Sequence, residues 1–244
     1  MKIFCSGSCR LLHAMTDTDK IEVIHNLREP YFEGNNFISK LHDTKSHIQF
    51  INFIKGSISL DKEILKRCYT SYNIDRWQKL RIFEFGPIDM ISKKIENLKN
   101  NIDTCNIYIF EICSIKLYKY KGFFCQCEQI FDNDVSDYEI ITQSEEDLLN
   151  DLETLISFFP NKKFIFQSHF RPNIIYNDQS KEIDNRELIY NTLVKFCKTH
   201  INCQVYDPSL LLQANKSLFD GDIHFTYTGY DATFQRICNE YLNI

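Results

Sequence analysis

The sequence lacks the features that mark several large classes of protein. No apolar run approaches the roughly 18–20 residues that a membrane-spanning helix needs, so no membrane partner is expected. The formal net charge is -5 and no block of like charge occurs, which argues against a nucleic-acid partner, because such proteins present a basic face. No Gly-x-Gly-x-x-Gly follows a predicted strand, which counts against a Rossmann-type cofactor enzyme.

The chain also lacks linkers, repeats and a metal pattern. Without a Pro/Gly/Ser-rich linker or a repeat, its 244 residues are expected to form one domain, 1–244. The start, "MKIFCSGSCRLLHAM", predicts a first strand rather than a signal peptide, so the ten cysteines are expected to be reduced and the protein cytoplasmic. Cys125 and Cys127 are closely spaced, but no second Cys/His pair accompanies them, so no metal site is predicted.

Short apolar segments alternate with amphipathic ones along the chain. Strands are predicted at 2–6, 80–86, 105–114, 162–169 and 203–208. Helices are predicted at 43–56, 87–101, 144–159, 185–200 and 228–242, with a short hairpin at 121–130. Alternation of this kind predicts βαβ units and a three-layer α/β/α sandwich with a five-stranded parallel sheet.

Polar residues after the first strand and before the last helix complement each other. In an open parallel sheet, ligands bind beyond the carboxyl ends of the strands. The first strand is followed by "GSCR", which offers two nucleophile-capable side chains, Ser8 and Cys9. Near the other end, His224 lies between a pair of aspartates and the closing helix in "DGDIHF". A nucleophile needs a base to take its proton, and the base needs an acid that fixes its tautomer.

The segments "GSCR" at 7–10 and "HFTYTGY" at 224–230 resemble two blocks of the SGNH, or GDSL-like, hydrolase superfamily. The first block is closer to the branch with a Gly-Ser-Cys-type signature found among polysaccharide-associated relatives. The resemblance implies a flavodoxin-like α/β/α fold and hydrolysis or transfer of an acyl group, such as an O-acetyl group on a sugar. The implied partners are a small-molecule or glycan ester and, for transfer, an acyl donor such as acyl-CoA. No cofactor is implied.

The resemblance leaves the identity of two catalytic residues open. Aligning residues 7–9 on the family's Gly-Asp-Ser makes Cys9 the nucleophile and keeps the glycine in place, whereas a shift of one residue makes it Ser8. His224 is the implied base. The family's acid would fall on position 221, which is a glycine, so Asp220 or Asp222 must serve instead, with Asp220 preferred.

A family block of the type Gly-x-Asn, which would help to hold an oxyanion, is not found. Donors must come from elsewhere, and the candidates for substrate or oxyanion binding are Gly7, Arg10, Gly86, Ser114, His169 and Arg171. Simpler interpretations compete with these: Ser8 as a helix N-cap, and Glu111 with Lys116 as an ordinary ion pair. A degenerate SGNH fold that binds a glycan or a partner without turnover is the alternative function.

Overall fold

A computed structural model describes residues 1–25, 41–69, 95–125, 135–181, 183, 185–220, 224–242 and 244. The central sheet contains five parallel strands: β1 (Lys2–Ser6), β2 (Glu22–Val23), β3 (Ile107–Ile112), β7 (Lys163–Ser168) and β8 (Cys203–Tyr206). Their order across the sheet is β2-β1-β3-β7-β8. Numbered among themselves, these strands run 2-1-3-4-5, which is the order of flavodoxin-like folds.

Helices cover both faces of this sheet. They are α1 (Cys9–Leu12), α2 (Thr44–Ile54), α3 (Lys62–Tyr69), α4 (Glu145–Ser157), α5 (Pro172–Tyr176), α6 (Arg186–Thr199), α7 (Ser209–Ala214) and α8 (Tyr227–Arg236), which continues as a π-helix over Ile237–Leu242. Residues 95–101 are also helical. A capping box begins α4, where the side chains of Ser144 and Asp147 each accept the other residue's backbone N–H.

Alternation along the strands divides the core into two layers. Phe4, Tyr108 and Phe164 point to one face and pack against α2, α4 and α6. Ile3 and Ile109 point to the other face, where they meet α1 and the closing helix. Because β1, β3 and β7 are buried on both faces, their sequences are mostly apolar, as expected for a parallel sheet covered by helices.

The predicted α/β/α sandwich with a five-stranded parallel sheet is confirmed, although one of its strands differs. The predicted strand 80–86 lies outside the described residues, and the edge beside β1 is instead formed by Glu22–Val23. The sequence predicts no strand at this segment, because a strand of two residues leaves no readable alternation. The predicted strand at 105–114 begins and ends two residues inside those bounds.

A second, antiparallel sheet follows β3. It has the order β5-β4-β6 and contains β4 (Lys116–Tyr120), β5 (Phe123–Cys125) and β6 (Glu139–Thr142). The hairpin predicted at 121–130 therefore starts earlier, with its turn at Lys121–Gly122, where both residues have positive φ. A third ladder pairs β9 (Phe219–Asp220) with β10 (His224–Phe225) just before α8.

The His47 ring ties α2 to the carboxyl ends of β1 and β3. Its Nε2 donates to the backbone oxygen of Glu111 at 3.1 Å, and its Nδ1 accepts from the Ser6 hydroxyl at 2.9 Å. A carbonyl oxygen only accepts, so the proton resides on Nε2. Burial lowers the pKa of His47 from 6.5 to about 4, and the bond to Glu111 opposes this shift only in part.

This pKa makes the stability of the fold sensitive to acid. The unfolded chain takes up a proton near pH 6.5, whereas the folded chain does so only near pH 4, so stability is complete above 6.5 and falls as the pH drops toward 4. We expect His47 alone to remove about 3 kcal/mol from the free energy of unfolding across this interval. Urea unfolding of the wild type and of His47→Gln between pH 7 and pH 4 measures this loss of stability. The difference between the two proteins should narrow in acid, and a constant difference would contradict the assignment.

Candidate active site

The strand order places a crevice between β1 and β3, where the chain leaves the sheet in opposite directions. The segment before α2 closes one side of this crevice. Leu41 donates its N–H to the Gly7 oxygen at 3.0 Å, and the His42 oxygen accepts the N–H groups of Cys113 and Ser114, each at 2.9 Å. The turns after β1 and β3 are thereby held side by side, at the place where ligands bind in folds of this order.

Position 7 brings the backbone of the first turn against β3. A Cβ atom on Gly7 would lie 2.6 Å from the Cβ atom of Glu111, a separation that real side chains do not tolerate. Glycine is therefore required here for close approach rather than for an unusual backbone angle. This approach puts the next residue, Ser8, within hydrogen-bonding reach of the Glu111 carboxylate.

The Glu111 carboxylate is the centre of the first turn. Its Oε2 accepts the Ser8 backbone N–H at 2.8 Å and the Ser8 hydroxyl at 2.6 Å, and its Oε1 accepts from Arg10 Nε at 2.8 Å. Glu111 and Ser8 are fully buried, and Arg10 is only 6% exposed. The predicted pairing of Glu111 with Lys116 is wrong, because the Lys116 side chain is exposed at the start of β4 while Glu111 faces the buried turn.

Ser8 also caps the first helix. Its hydroxyl oxygen accepts the backbone N–H of Arg10 at 3.2 Å, and its carbonyl accepts that of Leu12 at 3.0 Å. The hydroxyl therefore receives one bond from the helix and gives its proton to Glu111. Ser8 is also fully buried, so a substrate carbonyl could reach its hydroxyl only if the turn moved. Cys9, the next residue, begins α1.

The second half of the predicted site lies on the β9–β10 ladder. In its antiparallel register, His224 stands directly opposite Asp220, and Phe225 stands opposite Phe219. This register describes the backbone positions of the two residues. His224 is exposed.

The start of α8 fixes this ladder in place. Thr226 donates its N–H to the Leu218 oxygen at 3.0 Å, and its hydroxyl accepts the Gly229 N–H at 3.2 Å as the N-cap. A Cβ atom on Gly229 would lie 2.1 Å from the same Leu218 oxygen. The "TGY" segment that follows the histidine is thus explained by a close approach of two backbones.

The Phe170 ring contacts both halves of the predicted site. Its centroid lies 4.9 Å from that of Phe219 and 6.3 Å from that of Phe225, so the β9–β10 ladder rests on it. The Arg10 guanidinium lies 5.9 Å from the same centroid. The turn at 7–10 and the ladder that carries His224 therefore meet at one end of the sheet, more than 200 residues apart in sequence.

Two of the other predicted site residues are engaged elsewhere. Ser114 donates its hydroxyl to the Lys116 oxygen at 3.0 Å and accepts the Lys116 N–H at 2.9 Å, which closes a local turn. Arg171 donates to Asp207 at 2.6 Å and to both carboxylate oxygens of Glu187, at 2.8 and 3.0 Å, while its guanidinium lies over the Tyr190 ring. Arg171 thereby joins the end of β8 to α6.

The remaining assignments stay predictions. Gly86 and Asp222 lie outside the described residues. The catalytic roles of Cys9, Ser8, His224 and Asp220 likewise stay predictions. Within the described ranges, no group of three or more His, Cys, Asp or Glu side chains is arranged to hold a metal ion. No helix in the same ranges is long and apolar enough to cross a membrane.

His169 follows β7 at the same edge of the sheet. Its Nδ1 lies 3.1 Å from the Phe170 backbone oxygen, which also accepts from Arg186 Nη1 at 3.0 Å. Burial, followed by the charges of Arg10 and Arg186, holds the pKa of His169 well below its usual range. The imidazole is therefore neutral at physiological pH.

Two buried polar residues of the site were not predicted from the sequence. They are Glu111, which holds the first turn in place, and its neighbour Gln167. The two residues stand opposite each other in the β3–β7 register. Gln167 is fully buried, and neither of its amide atoms has a hydrogen-bond partner among the described residues. A signal was present: "IFE" and "IFQ" each place one polar residue after the same apolar pair, near the end of a buried strand. A buried polar group requires a partner, so both positions pointed to an interaction.

Comparison with solved structures shows a distant likeness. A solved structure of a member of the lipolytic protein G-D-S-L family from Veillonella parvula is 13% identical over the full length of both chains, with a TM-score of 0.37. No protein-family model and no curated protein matches the chain. Because a likeness this distant supports no inference, the fold assignment rests on the order and register of the five strands.

The buried bonds of Glu111 predict a large effect of a small substitution. Glu111→Gln keeps the shape but removes the charge opposite Arg10, and it leaves fewer acceptors for the Ser8 N–H and hydroxyl. We expect a loss of about 3–5 kcal/mol in the free energy of unfolding, as for other buried pairs that lose one partner. Urea denaturation measures this loss. The matched control is Glu139→Gln, which breaks an exposed pair with Lys119 and should change stability little. Equal effects of the two substitutions would contradict the role of Glu111.

Proposed function

We propose that the protein is an SGNH-like ester hydrolase or acyltransferase that acts on an acyl ester, with O-acetyl esters of glycans as candidate substrates. One observation supports this above the others. The two segments that resemble the family's nucleophile and acid–base blocks each place a residue beside the Phe170 ring, Arg10 from the first and Phe225 from the second, near the crevice at the carboxyl ends of β1 and β3. In flavodoxin-like sheets this crevice is where ligands bind.

Cys9 is the proposed nucleophile. The Ser8 hydroxyl is committed to Glu111 and to the helix that it caps, so the fixed turn leaves the following residue for chemistry. The Cys9 sulfur attacks the ester carbonyl carbon, and the carbonyl π electrons move to the oxygen to give a tetrahedral oxyanion. Collapse of this species expels the alcohol oxygen and leaves a thioester, which water or an acceptor hydroxyl then cleaves.

His224 is the proposed base, and Asp220 is its proposed partner. The base takes the thiol proton and returns it to the leaving oxygen, while the carboxylate holds the imidazole in one tautomer. The cross-strand register favours Asp220 over Asp222, because Asp220 is the residue directly opposite His224. Asp220 takes in this proposal the role of the acid that the family carries three residues before the histidine.

Arg10 is the proposed oxyanion donor. It carries a permanent charge next to the proposed nucleophile, and its Nε bond to Glu111 fixes its direction. The other candidates are weaker. Arg171 is held by two carboxylates, Ser114 closes its own turn, and the Ser8 N–H is occupied by Glu111.

The bonded Ser8 N–H also favours a second candidate function. In this function the protein binds a glycan or a partner without turnover. In the nucleophile turn of an acyl-transfer enzyme, a backbone N–H of this kind stabilises the oxyanion. Here Glu111 accepts both the N–H and the hydroxyl of Ser8, an arrangement that stabilises the turn rather than a reaction intermediate.

Hydrolysis of p-nitrophenyl acetate distinguishes these functions and the two nucleophiles. We expect Cys9→Ala and His224→Ala to lower kcat/KM by at least about a hundredfold, because each removes a member of the reacting unit. Ser8→Ala should retain more activity than Cys9→Ala while lowering stability through the lost cap.

The matched control is Cys197→Ala, which removes a partly buried thiol on α6 and should leave the rate unchanged. Loss of activity in Ser8→Ala with Cys9→Ala intact would make Ser8 the nucleophile. A wild-type protein inactive on both aryl acetates and acetylated sugars would favour the binding function.

A further inference from the structure

The His169 side chain is oriented by a backbone carbonyl. Nδ1 lies 3.1 Å from the Phe170 oxygen, and a carbonyl oxygen can only accept, so Nδ1 carries a proton. The Arg186 guanidinium donates to the same oxygen at 3.0 Å and holds the carbonyl in place. The orientation of the ring is thus set by the main chain and does not depend on a ligand.

The surroundings of His169 disfavour a second proton. The ring is 7% exposed, and it lies edge-on to the Phe170 ring at 4.3 Å between centroids. Two guanidinium groups, those of Arg10 and Arg186, lie 5.9 and 5.1 Å from the same Phe170 centroid. Adding a cation beside these two would cost both desolvation and repulsion.

With its single proton on Nδ1, His169 presents a lone pair at Nε2. Among the described residues, no group donates a hydrogen bond to this nitrogen. Such an atom pairs with an O–H or N–H group. It does not pair with a carboxylate, a phosphate oxygen or an alkyl group, none of which has a proton to donate.

We propose that His169 Nε2 accepts a hydrogen bond from a hydroxyl group of the substrate, so that the preferred substrate is an ester of a polyol or sugar that keeps a free hydroxyl. The inference rests on the proposed ester chemistry, and it adds the residue that selects the alcohol part. The placement supports it: His169 follows β7, its neighbour Phe170 contacts the proposed oxyanion donor Arg10, and Phe170 also supports the ladder with His224. A site built to bond a hydroxyl discriminates strongly against the analogue that lacks it.

Two esters of matched size test the selection. Glycerol monoacetate and propyl acetate share the acetyl group and a three-carbon alcohol, but only the former keeps free hydroxyls. We expect the wild type to prefer glycerol monoacetate in kcat/KM by at least about fivefold, the effect of one hydrogen bond. His169→Asn keeps an N–H near the Nδ1 position but has no atom at Nε2, so its preference should fall toward one. His169→Gln places an amide group near Nε2 and should restore part of the preference.

Nitrogen NMR of histidine-labelled protein tests the same inference without turnover. In Cys9→Ala, His169 should show a protonated Nδ1 and an unprotonated Nε2 near neutral pH, and glycerol monoacetate should shift the Nε2 resonance. The spectrum of His169→Asn in the same background identifies the signal. A proton on Nε2, no shift with glycerol monoacetate, or an unchanged ester preference in His169→Asn would each overturn the inference.

The outcomes separate this inference from the proposed function. If the wild type hydrolyses neither ester, the proposed hydrolase activity fails, and the NMR titration alone decides the role of His169. A shift of Nε2 would then support a hydroxyl-binding site in a protein without turnover. If the wild type hydrolyses both esters without preference, the hydrolase activity stands and the role of His169 is overturned.

Discussion

The buried carboxylate of Glu111 is the interaction on which the rest of the candidate site depends. A carboxylate removed from water is costly unless charged or polar hydrogens surround it, and here Ser8 and Arg10 supply three bonds. The bonds join the end of β3 to the turn after β1, across the crevice of the sheet. They also explain why position 7 must be glycine and why the Arg10 side chain is held near Phe170. One charge thus orders the turn, the first helix and the contact to the far end of the chain.

Two buried histidines at this edge differ because different backbone carbonyls fix their protons. The Glu111 oxygen holds the proton of His47 on Nε2, and the Ser6 hydroxyl fills the other nitrogen, so His47 is fully satisfied within the fold. The Phe170 oxygen holds the proton of His169 on Nδ1 and leaves Nε2 as an acceptor. The hydrogen bonds of the two rings therefore distinguish His47, which stabilises the core, from His169, which has a nitrogen available for a ligand.

Long, strongly patterned segments were predictable from the sequence, and short or tertiary features were not. The strands at Lys163–Ser168 and Ile107–Ile112 and the helices at Thr44–Ile54 and Arg186–Thr199 lie within the predicted bounds, because apolar runs and amphipathic periods are local signals. The strand Glu22–Val23 is too short to carry such a signal.

In the candidate site, too, local sequence signals were predictable and tertiary contacts were not. The clustering of both chain ends was predicted from a resemblance, whereas the Glu111–Arg10 pair depends on which face of β3 meets the turn. The role of Phe170 likewise depends on packing between segments that are distant in sequence.

The position of β1 inside the sheet has a consequence for the order in which the molecule assembles. The ribosome makes this strand before the other strands of the sheet, yet its inner neighbour begins at residue 107, and the Ser8 bonds span 103 residues. Closing so large a loop carries an entropy cost that local contacts cannot repay in advance. The inner edge of β1 therefore stays unpaired, and its apolar side chains stay uncovered, until residues 107–112 have left the ribosome. During that interval it is exposed to aggregation and is a natural target for a chaperone.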